Sequence, residues 1–220
     1  MKKIKFHNSN DQFIIEKIVC VGRNYADHAK ELGNEIPTDF PIIFLKPASN
    51  VIFSGQSVIH PSYSNNLHHE TELVLLIGKT LKDAPDLQQA EDAIGGYAVG
   101  LDMTLRDLQN QARDKGDPWT ISKCFDTAAV LSEFVQKKDH FLTGKEMISL
   151  KVNGQIRQNC TLDKMIFSPA ELVKYISSIM TLEKGDLIFT GTPAGVSKVV
   201  KGDKLEAEIS GIGKILTEIV

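Results

Sequence analysis

The sequence predicts a mixed α+β fold that is predominantly β: a sandwich-like rolled sheet with a few peripheral helices. Two observations carry this. Many apolar runs are short and strand-length. Glycine punctuates them, most densely towards the C-terminus at Gly185, Gly191, Gly195, Gly202, Gly211 and Gly213. That pattern suits a rolled sheet better than an alternating β-α-β array.

The elements follow in order. Ile18 to Val21 reads as a short buried strand ending at Gly22. Asn24 to Leu32 has helical character and stops at Gly33, a suitable C-terminal glycine. Pro41 to Leu45 and Val51 to Phe53 are strand-like, and Leu73 to Ile77 is the least ambiguous strand. Leu87 to Ile94 reads as a helix broken by Gly95-Gly96, followed by a strand at Tyr97 to Leu101. Thr104 to Lys115 reads as a polar helix. Asn153-Gly154, between Ile148 to Val152 and Gln155 to Gln158, marks a hairpin with a type I′ turn. Ser168-Pro169-Ala170-Glu171 opens a helix to about Met180 with a capping box. The tail from Leu187 to Val220 reads as short strands. With no repeat, low-complexity segment or linker, 1–220 reads as a single domain, with 1–16 as a short N-terminal extension.

Composition narrows the function classes. A chain of 220 residues can bury a substantial core, and 42% hydrophobic with 24% charged residues is ordinary for a soluble protein. Net charge is −3 with no basic stripe, so nucleic acid is not an expected partner. Cys20, Cys124 and Cys160 are odd in number and far apart, which fits free thiols and not a disulfide framework or a thiolate zinc site. No apolar run approaches the ~20 residues of a membrane span. The positive start Met1-Lys2-Lys3 has no apolar stretch behind it, so no signal peptide is expected. The default expectation is cytoplasmic, with no membrane partner.

The run from Asn66 to Gly78 carries the most chemistry. Strand side chains alternate faces, so Glu70 and Glu72 share one. Two like charges this close raise each other's pKa unless a cation compensates, and hard oxygen donors suit Mg2+ or Mn2+. A solvated strand end with two surface acids would show the same spacing. Asp102, ending the next predicted strand, is placed either as a third oxygen ligand or as a cap for the following helix. Three carboxylates would leave about three octahedral positions for water or substrate, and so an open Lewis acid.

Other segments supply candidate partners. Arg106 and Gln109 lie three apart on one helical face and could bind a carboxylate, although an arginine considered alone is more often a surface charge than a clamp. His28 and Glu31 have the same spacing; a carboxylate beside an imidazole would orient it as a general base, and a solvated helix face is the plain alternative. Lys123 could stabilise a developing enolate or decorate a loop. Thr190 to Gly195 offers hydroxyls and amides in a turn but lacks the lysine of a nucleotide P-loop. By alternation His68 shares the face of Glu70 and Glu72, which leaves a zinc site conceivable. No Gly-x-Ser-x-Gly elbow is present.

Taken together, these segments resemble the fumarylacetoacetate hydrolase superfamily, in particular its compact acylpyruvase-type members. The resemblance runs from Val19 to the C-terminus. It is carried by Val-Gly-Arg-Asn-Tyr-Ala-Asp-His at 21–28, Phe-Leu-Lys-Pro at 44–47, Asn-Leu-His-His-Glu-Thr-Glu-Leu at 66–73 and Gly-Tyr-Ala at 96–98. It continues through Asp-Met-Thr-Leu-Arg-Asp at 102–107, Lys-Gly-Asp-Pro-Trp at 115–119, Lys-Cys-Phe-Asp at 123–126, Met-Ile-Phe at 165–167 and Thr-Gly-Thr-Pro-Ala-Gly-Val at 190–196. The chain departs from the family pattern after Asp126, where a frequent proline is missing.

The resemblance implies a mixed β-sandwich roll and a homodimer. It implies Mg2+ or Mn2+ held by Glu70, Glu72 and Asp102, and a small keto-acid substrate contacted by Arg23, Arg106, Gln109, Lys123 and Thr192. His28 and Glu31 would sit on a lid over it. The implied reaction is hydrolysis of a C–C bond in acylpyruvates such as fumarylpyruvate or acetylpyruvate, giving pyruvate and a carboxylic acid. Decarboxylation or keto–enol tautomerisation of oxaloacetate would use the same ligands.

Overall fold

The computed structural model describes residues 1–31, 33 and 39–220. Its centre is an eight-stranded mixed sheet. Strand order across it is Ile42–Pro47, Lys17–Gly22, Leu187–Phe189, Thr71–Ile77, Ile94–Asp102, Ala129–Leu131 and Val51–Phe53, with Val135–Gln136 also pairing with Ile94–Asp102. Leu187–Phe189 runs parallel to Lys17–Gly22, and Ala129–Leu131 parallel to Val51–Phe53; the other pairings are antiparallel. A second, four-stranded sheet of Gln155–Thr161, Met147–Val152, Lys204–Ile209 and Gly213–Glu218 packs against one face.

The central strand Thr71–Ile77 is buried along its whole length. Leu73, Leu75 and Ile77 pack with Ile148, Leu150 and Ile215 of the second sheet. Val74 and Leu76 point the other way, into a second core with Ile18, Leu187 and Phe189. A strand covered on both faces must read as a continuous apolar run, as this one does. The cover on the second face includes residues 1–16. Read as an extension, they form a hairpin of Lys3–Phe6 and Ser9–Ile14 whose Ile4 and Phe6 are buried in that core. The alternation in Lys3-Ile4-Lys5-Phe6 is the local sign of it.

Most predicted elements are present, with instructive shifts. The turn residues Asn153 and Gly154 have φ of 50° and 79°, as a type I′ hairpin needs. Helix Pro169–Ile179 carries the expected capping box and buries Leu172, Val173 and Ile176. The predicted helix at 24–32 is observed as Ala26–Glu31, and Leu32 lies outside the described residues. Gly95 and Gly96 do not break the chain; they lie within strand Ile94–Asp102, where Gly95 lets the backbone of Gly78 approach. The helix expected from Thr104 starts at Arg106, because Thr104–Leu105 pairs with Leu67–His68. A short helix at Thr120–Lys123 was not anticipated.

Two-sided burial of the central strand makes a sharp prediction. Leu75→Ala and Leu76→Ala should each cost about 2–5 kcal/mol in denaturant unfolding, although they face opposite layers. A near-neutral result for either would mean that its face is not a packed core.

Candidate active site

The pairing of two strands builds the centre of the site. Thr71 lies opposite Leu101 in an antiparallel register, so the start of one strand meets the end of the other. Asp102 N donates to Glu70 O at 2.9 Å and clamps that junction. Glu70, Glu72 and Asp102 thereby offer ligand oxygens all within 4.8 Å of one another, and all three residues are buried. This favours the ligand alternative for Asp102; the helix cap at Leu105 has no side-chain hydrogen bond.

Three cations hold the carboxylates in place. Lys123 Nζ donates to Glu70 Oε2, Asp102 Oδ2 and Thr104 Oγ1, each at 2.7 Å. Lys46 Nζ lies 2.8 Å from Asp102 Oδ1 and also donates to the carbonyl oxygens of Ala128 and Met103. Arg106 pairs with Glu70 through one guanidinium nitrogen and donates to Gln109 through another. Among the described residues no cation pairs with Glu72; its Oε2 accepts from Gly191 N at 2.7 Å. Gly191 sits at φ +94° and packs so closely on Asn24 that a Cβ would meet the Asn24 Cβ at 2.8 Å.

The electrostatics follow from this asymmetry. Burial works to raise the Glu70 pKa, but Lys123 and Arg106 outweigh it and hold the carboxyl well below its usual range. Burial, then the charges of Asp102 and Glu70, push Glu72 well above its usual range. Burial acts to lower the Lys123 pKa, yet Asp102 and Glu70 raise it, so its ammonium stays charged. An acid forced towards neutrality between two buried carboxylates is the condition that a divalent cation relieves. The all-oxygen donor set fits Mg2+ or Mn2+. His68 does not join the group. Its Nε2 lies 3.0 Å from Asn66 Oδ1, and burial first, with Arg106 second, lowers its pKa to about 4.

Nine of the ten candidate residues line one pocket: Arg23, His28, Glu70, Glu72, Asp102, Arg106, Gln109, Lys123 and Thr192. Arg23 enters it from the end of strand Lys17–Gly22 through a left-handed backbone, φ 60°, which a non-glycine residue adopts at a cost of order 1 kcal/mol. The tenth, Glu31, stands behind His28 on helix Ala26–Glu31, its Oε2 3.5 Å from His28 Nδ1. Its carboxyl is held below the usual range chiefly by His28, against burial, with help from the Gly195 amide. Gly195 N lies 3.1 Å from both Glu31 oxygens, so the helix is tied down over the pocket.

The residue-by-residue reading missed several supports. Lys46 is fully buried, and its signal was a lysine inside the apolar run Ile42–Pro47. Asn24 binds Thr190 O, Phe167 O and Phe167 N, joining three distant segments. Trp119 and Phe44 form an edge-to-face wall of the pocket.

Residues 17–220 match the family described as fumarylacetoacetate (FAA) hydrolase, C-terminal. The chain belongs to the fumarylacetoacetate hydrolase family. It is 44% identical over 197 residues to the mitochondrial oxaloacetate tautomerase FAHD1 of Homo sapiens, covering 90% of this chain and 88% of that one. It is 48% identical over 197 residues to a mitochondrial oxaloacetate decarboxylase of Dictyostelium discoideum, covering 89% of each. Among solved structures, the fumarylpyruvate hydrolase of Pseudomonas aeruginosa in complex with Mn2+ and pyruvate superposes with a TM-score of 0.95 at 41% identity, over 100% of this chain and 95% of that one. These relatives are named as a hydrolase, a tautomerase and a decarboxylase, and the solved hydrolase structure shares this curled, strand-rich fold.

The Glu72 environment fixes the sign of a pH test. A carboxyl whose folded pKa is raised above 4.5 contributes stability that is complete below that value and is lost as pH rises through the raised one. Without divalent metal, the melting temperature of the wild type relative to Glu72→Gln should therefore fall as pH rises from 4.5. The Mn2+-induced gain in wild-type melting temperature should grow over the same window and nearly vanish in Glu72→Gln. Equal Mn2+ gains in the two proteins would remove Glu72 from the ligand set.

Proposed function

We propose that this chain is a divalent-metal-dependent enzyme of small keto acids, and that its reaction is keto–enol tautomerisation of oxaloacetate. The observation that carries the reading is the His28–Glu31 pair, brought by a tied-down helix to the pocket that holds the three carboxylates. The oxaloacetate enzymes at 44–48% identity support the choice of substrate. A divalent ion held by Glu70, Glu72 and Asp102 would supply Lewis acidity to the keto-carboxylate end.

The chain's own residues do the rest. Arg23 lines the pocket and, with Arg106 and Gln109, would bind the substrate carboxylates. Lys123, held as an ammonium, would stabilise negative charge developing on the keto oxygen. His28, oriented by Glu31, would take a proton from the carbon between the two carbonyl-bearing carbons and return it to oxygen. The nearly complete burial of His28 limits solvent access at that step.

Acylpyruvate hydrolysis is the second reading, favoured by the likeness to the fumarylpyruvate hydrolase structure. There His28 would take a proton from water as its oxygen attacks the distal carbonyl; the C–C bond would then break to a carboxylic acid and an enolate, which would take that proton back from His28 to give pyruvate. We also propose a homodimer in the cytoplasm. Leu45 on the edge strand and Ile121 nearby are 48% and 68% exposed, an apolar rim of the kind that a second copy covers.

Proton NMR decides between the reactions. Purified protein with Mg2+ should speed enol–keto interconversion of oxaloacetate, and a chelator should stop it. Pyruvate plus acetate from acetylpyruvate, without the oxaloacetate effect, would transfer the assignment to hydrolysis; neither reaction in folded, metal-loaded protein would overturn both. His28→Ala should keep Mn2+ binding and lose about 100-fold or more in turnover. An unchanged rate would reassign the base.

A further inference from the structure

Gln158 lies on strand Gln155–Thr161 of the second sheet, and its side chain is fully buried. Both ends of its amide meet main chain. Thr71 N donates to Oε1 at 3.1 Å, and Nε2 donates to Pro193 O at 2.8 Å. A backbone N–H can only donate and a carbonyl can only accept, so these two partners fix which end is oxygen. Nε2 also donates to Thr192 Oγ1 at 2.7 Å. Thr192 gives its single hydroxyl proton to Thr71 O at 2.8 Å. The hydroxyl thus has no proton for a ligand and retains one lone pair. In the pocket, the Thr192 side chain can only accept.

The same network holds the loop around Thr192. His69 Nδ1 lies 3.1 Å from Gln158 Oε1, and its Nε2 lies 3.0 Å from Ser197 Oγ. Gly195, at φ +102°, rests on the Gln158 strand, where a Cβ would come within 2.0 Å of Arg157 O. Its amide is the one that meets Glu31. One buried amide therefore links Thr71, between Glu70 and Glu72, to the 190–197 segment that carries Thr192 and anchors the Glu31 carboxylate.

We propose that Gln158 is a positioning residue: it sets Thr192 as an acceptor-only contact for the substrate and holds the loop that fixes Glu31. An acceptor-only hydroxyl matches a substrate group that carries a proton, such as an enol hydroxyl. The kinetic part of this inference rests on the functional reading above; the structural part does not.

The test uses Gln158→Met, which keeps the length and removes the amide. If that variant does not fold, Gln158→Glu, which keeps an oxygen for the Thr71 amide, is judged by the same criteria. Hydrogen–deuterium exchange, read without substrate, should show amides of 190–197 exchanging about tenfold faster, as expected for the loss of buried hydrogen bonds. Turnover should fall about tenfold or more. Adding Thr192→Val to Gln158→Met should cost less than twofold more, because the two changes remove one connected unit. Unchanged exchange in the loop overturns the inference, as does unchanged turnover with a loosened loop. Losses that multiply in the double variant overturn it too, since Gln158 would then act apart from Thr192. A wild type inactive on every keto acid would instead defeat the functional reading, and the loop exchange would still decide whether Gln158 positions that segment.

Discussion

Three carboxylates and three cations share one buried seam between strands Thr71–Ile77 and Ile94–Asp102, and the arrangement of the molecule follows from keeping them there. Charges of this kind are tolerated away from water when they are paired and their hydrogen bonds are met. The seam pairs Glu70 and Asp102 from several directions and leaves Glu72 with the Gly191 amide. Lys46 comes from the edge strand Ile42–Pro47, Lys123 from the short helix Thr120–Lys123, and Arg106 from the first turn of helix Arg106–Lys115. Register is the underlying constraint. A slip of one residue in this antiparallel pair would turn Glu72 into the apolar layer and take Glu70 away from Asp102.

The charge balance of the seam also bears on chemistry. Glu70, Glu72 and Asp102 against Lys46, Lys123 and Arg106 come to neutrality when all are ionised. A dication added to them leaves a positive pocket, with Arg23 and Arg113 also on its lining. Such a pocket favours an anionic substrate and the build-up of negative charge on it during reaction. Oxaloacetate and fumarylpyruvate both carry two carboxylates, so this field suits either reading; they differ in whether His28 draws its proton from carbon or from water.

Much of this was legible in the sequence wherever the signal was local. Glu70 and Glu72 are two apart, Asn153-Gly154 sits between two strand-like runs, and Ser168 and Glu171 bracket a helix start; each is a short-range pattern with one dominant physical solution. What the residues alone did not give depends on contacts between distant segments. Asp102 can be read as a cap or as a ligand until the pairing of Thr71 with Leu101 is known. Lys46 looks like an edge-strand surface charge until Asp102 and the carbonyls of Met103 and Ala128 surround it. Gln158 follows an exposed Arg157 on a polar strand, and nothing local shows that it is buried against Thr71 and Thr192. Leu67–His68 and Ala129–Leu131 are too short for periodicity to register; the first pairs with the equally short Thr104–Leu105 and Lys198–Val199, and the second lies against the longer Ile94–Asp102. The family resemblance supplied the ligand set that spacing left open.

The seam's role as a divalent-metal centre is the claim on which the function depends. It is tested most directly by anomalous diffraction at the manganese edge from crystals of this protein grown with Mn2+. The account predicts a single strong peak within bonding distance of carboxylate oxygens from Glu70, Glu72 and Asp102 together. A peak elsewhere, or an ion held without one of the three, would contradict it.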